Sequence, residues 1–502
     1  MYRVLIVDDE YPAIRSVCSI VEKRCDNYTV IDIAQTGEEA LTKIRKTLPD
    51  LVLCDIKMPV LSGTELVEII CREHPEICFI MISGYQDFEY TQSAIRSGVI
   101  DYLLKPIVPS VVQKSLEYAA NKIREIQYRQ RNSILRTVVN GKNVDMDQLR
   151  RYFPAENYYG ALLRTNGLPN RFSMEQTREI YSDIVENYVV FGRDEKELLV
   201  LIPDVLLSKN DFYAYLDKLC MCQEKESYYT LIYSSSSFSA LELAMMVQKM
   251  YQELNRRCSI GNTKQIDLAM NDRDISDSVV ALWKEGNYIL LSLEQLTRTR
   301  ENRERLSIEI REKYVTLEKY QPSQLWMENF TRQVLEIMRQ AGFCTATTFE
   351  SEQVMSDAFY YATSVSMLVD NLIELFFFGN KAKMENDKVD SPEFFRQIDE
   401  WLQVHLDQLI TLPDLCRKFG ISQTYMSRLF RKYTGNSFNQ HLTERRVNRA
   451  KELFRENPDY FIKDVASMVG YEDQFYFSRI FKTYTLKSPS EYIKEILKIN
   501  QK

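Results

Sequence analysis

SRLFRKYT at residues 427–434 returns as SRIFKTYT at 478–485, an offset of 51 with five of eight positions identical. Each copy sets an apolar pair (Leu429 and Phe430, then Ile480 and Phe481) on one helical face and basic residues on the other. Before each lies a short helical stretch and a glycine-bearing turn: LPDLCRKFGIS with Gly420, and IKDVASMVGYED with Gly470. Helix, tight turn and helix with a basic outer face make a helix-turn-helix unit, whose second helix reads the DNA major groove. Two units in one chain can read two segments of groove. A duplicated hairpin that only packs would not need the basic residues to recur in register.

Working outward, 502 residues suggest roughly three or four domains. Apolar content of 45% and charged content of 27% are those of ordinary globular protein. No run approaches ~18 uninterrupted apolar residues, and MYRVLIVDDE enters a strand at once, so neither a spanning helix nor a signal peptide is expected. The ten cysteines lack finger spacing, only Cys220 and Cys222 lying close, and the three histidines (His74, His405, His441) make a zinc site improbable. Scattered thiols suit a reducing cytosol. The net charge of −7 hides a polarity. Residues 1–106 hold 17 acids against 11 bases, and residues 391–502 hold 14 against 18. The basic end is the one with the repeat, as a phosphate footprint requires.

At the acidic end, four apolar runs each stop on a chemical group. RVLIV at 3–7 stops at Asp8-Asp9, LVLC at 51–54 at Asp55, CFIMI at 78–82 at Ser83, and DYLL at 101–104 at Lys105-Pro106. Amphipathic stretches between them predict a doubly wound α/β domain with a parallel sheet. Chemistry in such sheets gathers beyond the carboxyl ends of the strands. Three carboxylates there need a cation, and a hard divalent ion such as Mg2+ fits. An aspartate beside it can attack a phosphoryl group, which a hydroxyl and a lysine then hold.

Residues 1–120 resemble the CheY-like receiver family of two-component response regulators, through VDDE at 7–10, DIKMP at 55–59, SGYQDFEY at 83–90 and DYLLKP at 101–106. The resemblance implies Asp55 as phosphoacceptor and Asp8, Asp9 and Asp55 as Mg2+ ligands, with the backbone carbonyl of Lys57. It implies Ser83 as switch hydroxyl, Lys105 as phosphate-pairing lysine and Tyr102 as rotamer switch. The Lys105–Pro106 bond is expected to be cis. One departure is Ser62-Gly63, where the family often has Asp-Gly.

Residues 393–502 resemble the AraC-type DNA-binding domain, through ITLPDLCRKFGISQTYMSRLFRKYTGNSF at 410–438 and IKDVASMVGYEDQFYFSRIFKTYTLKSPSEYIK at 462–494. A helix over about 440–456 would join two all-α units and set their recognition helices about 34 Å apart, one turn of duplex. Ser422 and Asp473 are expected as N-caps. Tyr425, Met426, Leu429 and Phe430 should point inward in the first unit, as should Phe477, Ile480 and Phe481 in the second. Gln423, Thr424, Ser427 and Arg428, then Gln474, Phe475, Ser478 and Arg479, are the candidates for base edges. Arg431, Lys432 and Lys482 are the candidates for phosphates. Leu486-Lys487 replaces a usual glycine and apolar residue, which could alter the turn into the last helix.

The middle is less informative. Residues 108–140 are helical, with Leu116, Ala119, Ile123 and Ile126 as a stripe that serves either a coiled coil between receivers or a packed helix. Residues 150–270 alternate strands (YYGALLRT, ELLVLIP, YYTLIYSSS) with helices and weakly resemble degenerate cyclase-like α+β domains. They show no GGDEF-type signature, so the region is read as a non-catalytic spacer or dimerisation module. Residues 275–380 are mostly helical, and 381–392 a linker.

The resulting expectation is a multidomain, cytoplasmic, non-enzymatic transcription regulator. It would be phosphorylated by a sensor histidine kinase, bind promoter DNA as a homodimer and act on RNA polymerase. A nucleotide-cyclising or nucleotide-hydrolysing enzyme built on the middle region and a DNA-binding scaffold that is never phosphorylated are the rivals.

Overall fold

The computed structural model describes the chain except residues 26, 85–98, 171–188, 195, 222–226, 270–274, 300–302, 378–391, 409, 420, 422, 459, 472–473, 486 and 501–502. It divides into two compact units, residues 1–133 and 134–502. Among the described residues no helix is long and apolar enough to cross a membrane.

The first unit is built on a parallel sheet of order β2-β1-β3-β4-β5, with β1 at Tyr2–Val7, β2 at Tyr28–Ala34, β3 at Leu51–Asp55, β4 at Cys78–Ser83 and β5 at Asp101–Leu104. Four of these are the apolar runs read from the sequence. The fifth, β2, escaped that reading because it is an edge strand, half-buried and interrupted by Asp32, whose carboxylate takes Lys43 at 2.8 Å. Helix α1 (Tyr11–Arg24) and helix α4 (Pro109–Val139) cover one face, and α2 (Gly37–Thr47) and α3 (Gly63–Glu73) the other. Ser62 caps α3 through a capping box with Glu65, so the Asp-to-Ser departure retains a capping oxygen.

The stripe on α4 settles its own question. Leu116, Ala119 and Ile123 are buried in the core of the first unit, with Ile126 packed against it. Those side chains are therefore taken up by that core. Beyond the polar break at Gln130 and Ser133, Ile134, Leu135 and Val138 join a core of the second unit.

The second unit opens with an α+β layer. Its sheet, of order β11-β9-β6-β8-β7, runs through β6 (Asn157–Thr165), β7 (Val189–Phe191), β8 (Glu197–Pro203), β9 (Tyr229–Tyr233) and β11 (Lys264–Asp267), with β10 (Phe238–Ser239) paired to β6. All its pairs are antiparallel except β9 with β11. Helices α5 (Met146–Tyr152) and α7 (Leu243–Arg257) share a core on one face, and α6 (Lys209–Met221) packs on the other. The α+β class is as expected, while the cyclase-like character stays a resemblance. Helices α8 (Ile275–Arg298), α9 (Arg303–Glu318), α10 (Gln324–Gln340), α11 (Thr348–Tyr361) and α12 (Val365–Phe376) then bury one further core. The linker expected at 381–392 lies almost wholly outside the described residues.

Among the described residues seven further helices complete the unit: α13 (Pro392–Val404), α14 (Leu412–Phe419), α15 (Gln423–Thr434), α16 (Phe438–Glu456), α17 (Ile462–Met468), α18 (Gln474–Thr485) and α19 (Pro489–Asn500). Met426, Leu429 and Phe430 bury in one core, and Phe477, Ile480 and Phe481 in another, with α16 contributing to both. The repeat goes deeper than its eight residues. Thr434 Oγ1 donates to the Phe430 carbonyl and accepts from Asn436 N–H, and Thr485 Oγ1 donates to the Phe481 carbonyl and accepts from Lys487 N–H. Ser437 and Ser488, again 51 apart, accept from the N–H three residues on, at Gln440 and Glu491. Lys487 therefore enters the last helix by the same bonds as the first unit, despite its altered sequence.

Candidate phosphorylation site and nucleic-acid interface

Strand register assembles the acidic site. Val7 pairs with Cys54 and Asp55 with Ile82, so Asp8, Asp55 and Ser83 emerge together at the carboxyl edge of the sheet. Ser83 pairs with Leu104, which brings Lys105 in beside them. Ligand oxygens of Asp8, Asp9 and Asp55 lie within 4.8 Å of one another, the one such metal-capable group among the described residues. Asp8 and Asp55 are buried and Asp9 is exposed.

Lys105 offsets their repulsion. Its Nζ donates to Asp55 Oδ2 at 3.1 Å and meets Asp8 Oδ2 at 2.8 Å. Asp55 Oδ1 accepts from Ile56 N–H at 2.8 Å, and Asp8 Oδ1 from Glu10 N–H at 2.9 Å. Burial raises the Asp55 carboxyl above its ordinary value, against the lowering pull of Lys105. Desolvation alone would lower the Lys105 ammonium, but Asp8 and Asp55 hold it above its usual value. The donor set is hard, anionic and open at Asp9, which fits a small divalent cation that keeps part of its water shell.

The remaining acidic-end positions are also defined. Ser83 is buried, and its carbonyl accepts from Lys105 N–H at 2.7 Å. Tyr102 is half-buried against the α2–α3 side of the sheet, and Lys57 is exposed. The Lys105–Pro106 bond is cis, as expected. Of SGYQDFEY, all but Ser83 and Gly84 lie outside the described residues.

At the basic end the inward set is as expected, and Gly470 shows why its turn takes glycine. Its φ is +81°, and a β-carbon there would stand 2.3 Å from the Leu406 carbonyl. Gly420 and the expected caps Ser422 and Asp473 lie outside the described residues, as do the side chains of Gln423, Thr424, Phe475 and Arg479. Gln474, Ser478 and Lys482 are half-exposed, and with Lys463 and Lys494 the first two line an open groove.

The first recognition helix departs from expectation. Ser427, expected on the outer face, is buried. Arg431, expected at a phosphate, instead grips Asp357 of α11 with both prongs, Nε to Oδ2 at 3.0 Å and Nη2 to Oδ1 at 2.6 Å. The reason is that α11 and α12 pack on α15. Arg428 lies over the Tyr425 ring, and Lys432 stays exposed. Sequence reading also missed Asp399 of α13, which joins the repeat from outside by accepting from Arg445 and pairing with His441 at 2.7 Å.

Comparison with known proteins finds family matches at both ends of the chain. Residues 4–117 match the family model of the response regulator receiver domain, and residues 415–495 that of a helix-turn-helix domain. YesN of Bacillus subtilis, an uncharacterized transcriptional regulatory protein, is 38% identical over 117 residues, 23% of this chain and 32% of that one. HptR, a transcriptional regulatory protein of Staphylococcus aureus, is 37% identical over 107 residues, 21% of this chain and 42% of its own. The chain thus spans a third to under half of these relatives. Among solved structures, the receiver domain of AraT, a response regulator from Geobacillus stearothermophilus, is 33% identical over 26% of this chain and 98% of its own, with a TM-score of 0.23. The chain carries a response regulator receiver domain and an AraC-type helix-turn-helix domain.

Proposed function

We propose that the protein is a cytoplasmic transcription regulator of a two-component system, switched by phosphorylation of Asp55 and acting through two helix-turn-helix units on promoter DNA. The observation that carries this reading is the meeting of Asp8, Asp9, Asp55 and Lys105 at one sheet edge, in a chain whose other end is a helix-turn-helix repeat.

Asp55 Oδ attacks the phosphorus of a sensor kinase's phosphohistidine, and the bond to the imidazole nitrogen breaks as the acyl phosphate forms. Asp8, Asp9, Asp55 and the Lys57 carbonyl would hold a Mg2+ ion, which when bound would offset negative charge on the phosphoryl oxygens. Lys105 then pairs with a phosphoryl oxygen in place of the carboxylates it now bridges. Ser83 donates its hydroxyl to another, and Tyr102 turns into the space it leaves. The added charge, close to two units, changes the surface that partners read. Gln474, Phe475, Ser478 and Arg479, with Gln423, Thr424 and Arg428, read bases. Lys432 and Lys482 hold phosphates, and Arg431 can join them only when it is released from Asp357. A homodimer would present paired sites and engage RNA polymerase.

The test is binding to DNA from the protein's own upstream region, with and without Mg2+ and acetyl phosphate, at fixed salt. Wild type should tighten on phosphorylation and Asp55→Ala should not. Equal binding in all four conditions would reject the switch.

A further inference from the structure

The face of α15 opposite its own core is covered from within the second unit. Met426, Leu429 and Phe430 face the helix-turn-helix core, and Ser427, Arg428 and Arg431 lie on the opposite side. On that side Ser427 is buried and Arg431 is bound bidentately by Asp357. Asp357 is itself buried and also accepts from Asn170. Glu350 lies seven residues before Asp357 and so two turns away on one stripe of α11. The Glu350 carboxyl is held below its ordinary value by its bonds with Thr347, N–H first, and further by Arg428. Tyr361, at the end of α11, packs against the core that holds Phe395 and Phe430.

An arginine fork meets a carboxylate and a phosphate with the same geometry. We infer that α11 is an internal stand-in for the DNA backbone, whose carboxylates at Glu350 and Asp357 occupy the basic face of the first recognition helix and keep it out of the groove. This rests on the reading of α15 as a DNA-binding helix. On the second recognition helix, Gln474 and Ser478 border an open groove. The two recognition helices thus differ: Arg431 and Ser427 of the first are covered, while Gln474 and Ser478 of the second face a groove. DNA and α11 compete for Arg431, so any event that favours the undocked form raises DNA affinity by the fraction it releases.

The experiment uses the full chain without phosphodonor and a labelled duplex of the upstream region. Affinity is measured across a salt series, and hydrogen exchange is followed over residues 423–434. Asp357→Asn should bind about tenfold tighter than wild type. Its salt slope should steepen by about 0.9, because the released Arg431 neutralises one more phosphate. Exchange over 423–434 should rise without DNA. If that variant fails to fold, Glu350→Gln decides, since the residue is exposed and glutamine keeps the capping box; it should shift both readouts the same way by a smaller factor. Wild-type affinity and wild-type exchange in the folded variants would overturn the inference. Raised exchange with no DNA binding in any state would leave the masking contact standing and sink the DNA-binding reading instead.

Discussion

A β-carbon on Gly63 would stand 2.1 Å from the carbonyl oxygen of Asp55 and 3.0 Å from the Met81 methyl. The start of α3 is thus pressed onto the backbone of the proposed phosphoacceptor, where Gly63 N–H also donates to the Ile56 carbonyl at 3.0 Å. Gly63→Ala should push Asp55 out of line, costing about 2–3 kcal/mol of receiver stability. Thermal unfolding and labelling by acetyl phosphate should both fall. Normal labelling would mean that the approach of α3 does not position Asp55.

Lys105 is the cation between two buried carboxylates. Lys105→Ala should destabilise the metal-free receiver by ~2 kcal/mol, below the ~3–5 kcal/mol of a fully buried pair because the lysine is partly exposed. Mg2+ should restore more stability to this variant than to wild type. Denaturant melts with and without Mg2+ check this, and an equal Mg2+ increment in both proteins would contradict it.

Asp9 is the exposed member of the acidic group. Asp9→Asn should leave metal-free stability within about 0.5 kcal/mol of wild type. Wild type should gain about 2.7 kcal/mol at Mg2+ a hundredfold above its dissociation constant, and the variant little of it. A full gain in the variant would remove Asp9 from the ligand set.

Asp399 gives the helix-turn-helix region an acid limit. Burial works to raise its carboxyl, but the His441 hydrogen bond and Arg445 outweigh it and hold the group below its ordinary value. The unfolded state therefore binds the proton more tightly. The stabilisation is complete above the unfolded carboxylate value of about 3.9 and is lost as pH falls through the lower folded one. Melting of the full chain should show a loss as pH falls below about 4 that Asp399→Asn flattens. An unchanged profile in the variant would assign that loss elsewhere.

The acidic site was legible because each of its groups ends an apolar run, and run ends become neighbours in a parallel sheet. The repeat was legible because 51 residues separate chemically equivalent positions, down to Ser437 and Ser488. Periodicity could not choose the partner of a face. The stripe from Leu116 to Ile126 fits a coiled coil and a core helix equally, and the core took it. Likewise, helical spacing placed Arg431 on the outer side of α15, but its partner Asp357 stands 74 residues earlier. Nothing local announces such a pair.

The two recognition helices share one chain, so they are not independent ligands for DNA. On the masking proposed above, once the second unit rests on a duplex, α16 holds the first beside neighbouring phosphates at an effective concentration well above that of dilute DNA. The carboxylates of α11 then compete with a local, dense array of anions rather than with dilute DNA. A contact strong enough to silence the first unit in free solution can yield on DNA already held by the second. On that proposal the duplication makes engagement sequential: a scanning foothold first, and full address only where the second grip is also matched.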